Sequence, residues 1–455
     1  MAVRQCLCLA VLTMVAALPL TAPAEAPLKL PPLAFRERVL ANGLTVLSIE
    51  DHRSPTVAVQ VWYRVGAKDD PPGRSGFAHL FEHMMFKRTK FLADEQFDRL
   101  TEDVGGENNA STSDDDTRYI SIVPSNHLER LLWAEAERLQ HLEVDESSFR
   151  SERAVVQEEF RASILTPPYG RLYHLLQQAS WRVHPYRRPT IGSIEELDAA
   201  TLDDVRAFHA TYYRPDNAAL VVSGDFDPAE LDAWVDRHFD SIPKPATTIP
   251  RVRIVEPERE ADRRSSVRLA NVPLPALAIS WLAPAAGSPE AAALRVAEAL
   301  LAGGVSSRLN QALVYRQQAV QFVDFSYDDL ADRGLCSAVA VLASGQSVAR
   351  VERSLLAEIR RLADAPITAA ELDKARTLLL TDLLKKREAV DDRAAALGEA
   401  WLRTGRAADA NRELGALLAV TAADVQRVVR KELLGRHRVT LEYLPEAPAA
   451  SGAAR

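Results

Sequence analysis

The feature that most limits what this chain can become is that it repeats itself. "TLDDV" begins at Thr201 and "TAADV" at Thr421, an offset of 220 residues. "VAVQVWYRVGAKDD" from Val57 is echoed at the same offset by "LAISWLAPAAGSPE" from Leu277. "VDESSFRSERAVVQEE" from Val144 is echoed by "ITAAELDKARTLLLTD" from Ile367, at an offset of 223. Three similar offsets in one order predict a duplicated domain. Within the copies, short β-rich runs alternate with long apolar-periodic stretches. Residues 44–49, 56–65 and 217–224 read as strands, and 125–143, 145–165 and 289–302 as helices. The expectation is an α/β (α+β) chain of two homologous domains, each a mixed sheet with helices, at residues 35–241 and 259–446. The proline-rich stretch 242–258 is the expected linker.

The first copy carries a chemical signal. In "FAHLFEHMMF" (77–86), His79 and His83 stand four apart, with Glu82 directly before the second. On a helix, positions i and i+4 share a face, so two imidazoles can share a metal ion. Zinc accepts imidazole nitrogen and carboxylate oxygen, and its catalytic sites keep one position open. Glu82 would then take the proton of a water that the metal has acidified. The competing reading is an amphipathic helix with two hydrogen-bonded histidines. Ahead of it, "PPGRSG" (71–76) supplies turn residues, with Ser75 the expected N-cap. A third ligand must come from elsewhere. In "SERAVVQEEFRAS" (151–163), Val155, Val156 and Phe160 mark an apolar stripe that contains Glu152 and Glu159 but not Glu158. A carboxylate on such a stripe needs a partner, which makes Glu159 a better ligand than Glu158. At the equivalent positions the second copy reads "ALLAG" (299–303), Ala375 and Asp382, so only the first copy is expected to do metal chemistry.

The rest of the chain bounds the setting. Arg4, an apolar run from Cys6 to Leu20 and then Ala22-Pro23-Ala24 read as a secretory signal peptide over residues 1–24, which predicts a periplasmic protein. No later stretch reaches membrane-spanning length, so no stable membrane insertion is expected. Cys6 and Cys8 would leave with the signal; Cys336, in "RGLCSAVAVLA", then stands alone and reads as a buried strand residue, with no internal disulfide. His184, before Pro185, reads as structural. The net charge of −8, with basic residues scattered among acidic ones, argues against nucleic acid as a partner.

These residues resemble the pitrilysin/insulinase family of zinc peptidases, whose motif is the inverted H-x-x-E-H. His79, Glu82 and His83 match that motif, and "ERAVVQEE" matches the downstream segment in which two glutamates stand seven apart. The resemblance implies one Zn2+ per chain held by His79, His83 and Glu159, with Glu82 activating water and Glu152 orienting the ligands. It further implies that "GGENNASTSDDDTRY" (105–119) holds an edge strand, where Asn109, Ala110 and Ser111 would bind an extended peptide substrate. "HPYRRPTIG" (184–192), "YRPDNAALVVSGDF" (213–226) and "SSRLNQAL" (306–313) are also similar to family segments. The implied architecture is a clam-shell of two halves, as in bacterial relatives and mitochondrial processing peptidase subunits. Two positions depart from the pattern. Active members often carry an arginine and, seven residues later, a tyrosine where this chain has Val314 and Gln321; Tyr315 and Arg316 lie adjacent at the wrong spacing. Arg88 stands where a glycine is usual. The function implied is a zinc-dependent endopeptidase acting on unfolded peptides or small proteins. The alternative is a non-proteolytic or partner-dependent peptide-binding subunit. Partnership with a second family-like chain carrying the missing pair is expected, or else a homodimer.

Overall fold

The computed structural model describes residues 31–446, so the signal-peptide expectation for residues 1–24 lies outside the described residues. The apolar runs form two sheets. The first contains β1 (Arg36–Val39), β2 (Thr45–Glu50), β3 (Thr56–Tyr63), β4 (Glu107–Thr112), β5 (Thr117–Pro124) and β6 (Ala218–Gly224). Its spatial order is β1-β2-β6-β3-β5-β4. The second contains β7 (Arg263–Leu269), β8 (Ala276–Ala283), β9 (Val320–Asp328), β10 (Gly334–Leu342) and β11 (Arg438–Pro445), in the order β7-β11-β8-β10-β9. With the outer strand β1 set aside, substituting β7, β11, β8, β10 and β9 for β2, β6, β3, β5 and β4 turns one order into the other. Strand sense agrees too: β2 runs parallel to β6 and β7 parallel to β11, while the remaining pairs of this shared set are antiparallel. The duplication read from sequence offsets is a duplication of topology. The "TLDDV"/"TAADV" echo is a repeated helix start. Thr201 and Thr421 each cap a helix reciprocally with the aspartate three residues on.

β3, β6 and β8 are mostly apolar and buried along almost their whole length, because both of their faces are covered. One face of the first sheet packs on its own helices, with Val57, Val59, Val61 and Leu220 against Phe77, Phe81, Leu131 and Leu132. The other face receives a helix from the second half. Leu397 and Trp401, on the helix Val390–Thr404, pack against Leu47, Ile49, Trp62 and Val221. Gly398 is required there, since a β-carbon would lie 2.3 Å from the Trp62 ring. The first half returns the exchange. Leu172 and Leu176, on the helix Gly170–Ser180, pack against Ala276, Ala278, Val339 and Leu441 of the second sheet. The two exchanged helices begin 220 residues apart, at Gly170 and Val390, so they are repeat equivalents.

The expected helices are found at Leu128–His141, Glu146–Phe160 and Ala291–Ala302; the second is prolonged by a wider turn, Arg161–Leu165. Residues 242–258 contain no helix or strand. They are nonetheless tied down, because the Glu256 carboxylate accepts the amides of Arg182, Val183 and His184. Cys336 is fully buried in β10. His184 is buried, and its Nδ1 accepts the Tyr186 amide. Among the described residues no helix is long and apolar enough to cross a membrane.

Candidate metal centre

The motif forms the helix Phe77–Met84, whose Phe77, Ala78, Leu80, Phe81 and Met84 are buried in the first core. That burial fixes the rotation of the helix and leaves His79 and His83 on the other side. The helix start differs from expectation. Gly76, not Ser75, is the N-cap, in a left-handed conformation at φ 92°. A side chain there would be strained, and its β-carbon would meet Ile191 O at 2.8 Å. The capping acceptor comes from the preceding loop: Asp70 accepts the amides of Gly76 at 2.7 Å and Ala78 at 2.9 Å. The acceptor for these first amides is thus the Asp70 carboxyl, supplied by the loop, and not the Ser75 hydroxyl. Burial pushes the Asp70 carboxyl up to about 7, against the lowering effect of those amides.

The imidazoles of His79 and His83 stand 5.0 Å apart, edge to face. Glu159, near the end of Glu146–Phe160, places Oε2 3.6 Å from His79 Nε2 and 3.5 Å from His83 Nε2. The three donor atoms all lie within 4.8 Å of one another. Separations of this size are long for hydrogen bonds. They match the roughly 3.4 Å between neighbouring ligands of a tetrahedral zinc with bonds of about 2.1 Å. His79 Nδ1 is buried without a hydrogen-bond partner. Burial, helped by the neighbouring His83, pushes the His79 imidazole down to about 4 and keeps it neutral, the form a metal needs. The donor set therefore fits zinc. Glu158 points away, its side chain 72 % exposed and paired with Arg161.

The stripe expected on this helix is partly corrected. Glu152, Val156 and Phe160 are buried, but Val155 is 46 % exposed. The Glu159 side chain is 43 % exposed, so it sits at the mouth of the site and not in the core. The apolar stripe placed Glu159 on the side of the helix that faces the histidines, but at the wrong depth. Glu152 is the buried carboxylate: its Oε1 pairs with Lys87 Nζ at 2.8 Å, and its Oε2 lies 3.6 Å from His83 Nδ1. Burial raises its pKa, yet His83 and Lys87 outweigh this and hold it below the usual carboxylate value. For His83 burial works downward instead but is outweighed by Glu152, Glu82 and Glu159, so its pKa is raised. Glu82 is raised by burial, opposed by the Thr112 hydroxyl, which donates to its Oε2 at 2.6 Å.

His79, Glu82 and Glu159 line an open cleft of about 430 Å³, together with Thr112, Ile164 and Ile191. Every residue lining it belongs to the first half. Ala110 and Ser111 border it from β4, which is the edge strand of its sheet. Asn109 lies on the same strand and folds its side-chain oxygen onto the Ala110 amide at 2.8 Å. The "GGENNASTSDDDTRY" segment is thus a hairpin: β4 is the edge and residues 117–119 belong to its partner β5. In the second half, Ala375 is buried in the core, Val314 packs partly buried against that core, and Gln321 is exposed on β9. Sequence reasoning missed Asp70, Lys87 and Thr112. Lys87 had a signal in its place four residues after His83, and Thr112 in its two-residue spacing from Ala110. Asp70 had none, because its role depends on the path of the loop.

Comparison with known proteins places the chain among peptidase relatives. A profile of the insulinase family (peptidase family M16) matches residues 45–193, and one described as the peptidase M16 inactive domain matches residues 199–379. The chain is 32% identical over 356 residues to a zinc protease, PqqE, of Helicobacter pylori, covering 78% of this chain and 80% of that one. It is 26% identical over 407 residues to a probable mitochondrial-processing peptidase subunit beta of Arabidopsis thaliana, covering 87% and 76%. A crystal structure of a protease from Helicobacter pylori superposes with a TM-score of 0.88 at 28% identity, covering 91% of this chain and 100% of that chain.

Proposed function

This chain belongs to the insulinase family of peptidases, M16, and from that premise we propose that it is a zinc-dependent endopeptidase cleaving unfolded peptides in the periplasm. The observation that carries the reading is the convergence of His79, His83 and Glu159 on one point, beside the Glu82 carboxylate and an edge strand. His79, His83 and Glu159 would hold the ion, one per chain. When bound, zinc would supply a Lewis acid that lowers the pKa of water toward 7 and polarises a peptide carbonyl. Glu82, partly desolvated, accepts the proton of the attacking water and can return it to the leaving amine. Glu152 fixes the orientation of His83 and is itself held by Lys87. An extended peptide would add to the free edge of β4 at Asn109, Ala110 and Ser111, where main-chain hydrogen bonds accept many sequences. The leader-like first 24 residues support export. The test is Glu82→Gln, which should keep zinc and lose nearly all hydrolysis; full activity in the zinc-loaded variant would reject the assignment.

A second reading is that full activity needs a partner. It draws on the first-half cleft, on Val314 and Gln321, and on similarity to a protein named as one subunit of a peptidase. Activity of the pure chain on unfolded peptides, with and without a family-like chain that lacks H-x-x-E-H, decides it. Full activity alone, with no gain from the second chain, would reject partnership.

A further inference from the structure

We propose that Thr112 is the positioning residue for Glu82: its hydroxyl fixes one carboxylate oxygen so that the other serves the cleft. This deepens the reading of Glu82 as the base and rests on it. Thr112 Oγ1 donates to Glu82 Oε2 at 2.6 Å. The neighbouring Thr117 Oγ1 lies 3.4 Å away, and its own proton goes to Val65 O at 3.0 Å. The Thr112 proton is therefore committed to the carboxylate. Oε2, already accepting a hydroxyl, is the poorer place for a second proton, so the proton taken from water belongs on Oε1.

The fold explains why the hydroxyl is there. Thr112 is opposite Thr117 in the β4–β5 register. The two-residue period of a strand puts it on the same face as Ala110, which packs against the first core. It is also the last residue of β4, directly after Asn109, Ala110 and Ser111. One strand thus carries both the free edge to which a peptide would add and the donor that aims the base. Any slip of that strand would displace both together.

The test compares Thr112→Val, which keeps the shape and removes the hydroxyl, with Thr112→Ser, which keeps the hydroxyl. Thr112→Val should lower kcat about ten- to a hundredfold while KM stays within about twofold and bound zinc is unchanged. Thr112→Ser should restore most of kcat. In crystals of the metal-free variants, the Glu82 carboxylate should leave its position in Thr112→Val and keep it in Thr112→Ser. Wild-type kcat in Thr112→Val, an effect confined to KM, an unmoved Glu82, or no rescue by serine would each overturn the proposal. Glu82→Gln, measured alongside, separates the two claims. If it is inactive while Thr112→Val is normal, only the role of Thr112 falls; if it is active, the assignment of the base falls first.

Discussion

The two halves share a strand order and differ in what their equivalent helices carry. Phe77–Met84 and Glu146–Phe160 present His79, Glu82 and Glu159 to one cleft, with His83 beside Glu159 and Glu152 behind His83. In the second half, "ALLAG" ends the helix Ala291–Ala302, while Ala375 and Asp382 lie on the helix Ala369–Lys385. Ala375, the counterpart of Glu152, is buried in the core, so the second copy uses the position for packing. The framework is held by apolar burial, and the chemistry by a handful of polar residues that one copy can lack without loss of fold. The halves are still not independent, because each covers an outer sheet face of the other with its exchanged helix.

The comparison can be broken in several ways. The largest expected effect is at Glu82. Removing its proton-accepting oxygen in Glu82→Gln should lower kcat about 10²–10⁴-fold at unchanged zinc content. Metal retention comes next. Glu159→Gln should weaken zinc binding by more than about a hundredfold, and Glu152→Gln by about ten- to a hundredfold. Glu158→Gln and the second-half counterpart Asp382→Asn should leave it unchanged. Zinc per chain after dialysis against a graded chelator reads this out, and equal loss at 158 and 159 would overturn the choice of ligand. The exchanged helices predict a stability effect on both halves. Leu397→Ala and Leu176→Ala should each cost about 2 kcal/mol or more, and in each case both halves should unfold earlier by hydrogen exchange. Protection lost in one half alone would show that the exchange does not couple them.

The smallest effect concerns the helix starts. Asp70, raised by burial to about 7, caps the motif helix, whereas no side chain caps Ala291–Ala302. Between its ordinary value near 4 and about 7, the folded state keeps a proton that the unfolded chain has lost. Stability therefore falls as pH rises through that window. Thermal melts from pH 4 to 8 should show this slope in wild type and a flatter profile in Asp70→Asn. A wild-type slope in the variant would assign it to other groups.

How far the sequence could be read depended on the range of the interaction. The repeat, the paired histidines and the side of the helix bearing Glu159 are periodic, local features, and periodicity shows them. Asp70 in place of Ser75, the exposure of Val155 and Glu159, and the contact of Thr112 with Glu82 all depend on which segments meet in space. The helix exchange was hidden for the same reason. An apolar stripe on Val390–Thr404 calls for a sheet to cover, but does not say whose.

The most direct measurement is bound zinc per chain, followed together with turnover of an unfolded peptide as chelator is titrated into the purified protein. One zinc per chain, with activity falling in proportion to its removal and returning on its restoration, is the expected result. Activity that survives complete removal of metal, or a zinc that stays bound after His83→Ala and Glu159→Gln are combined, would contradict a centre built on the first half.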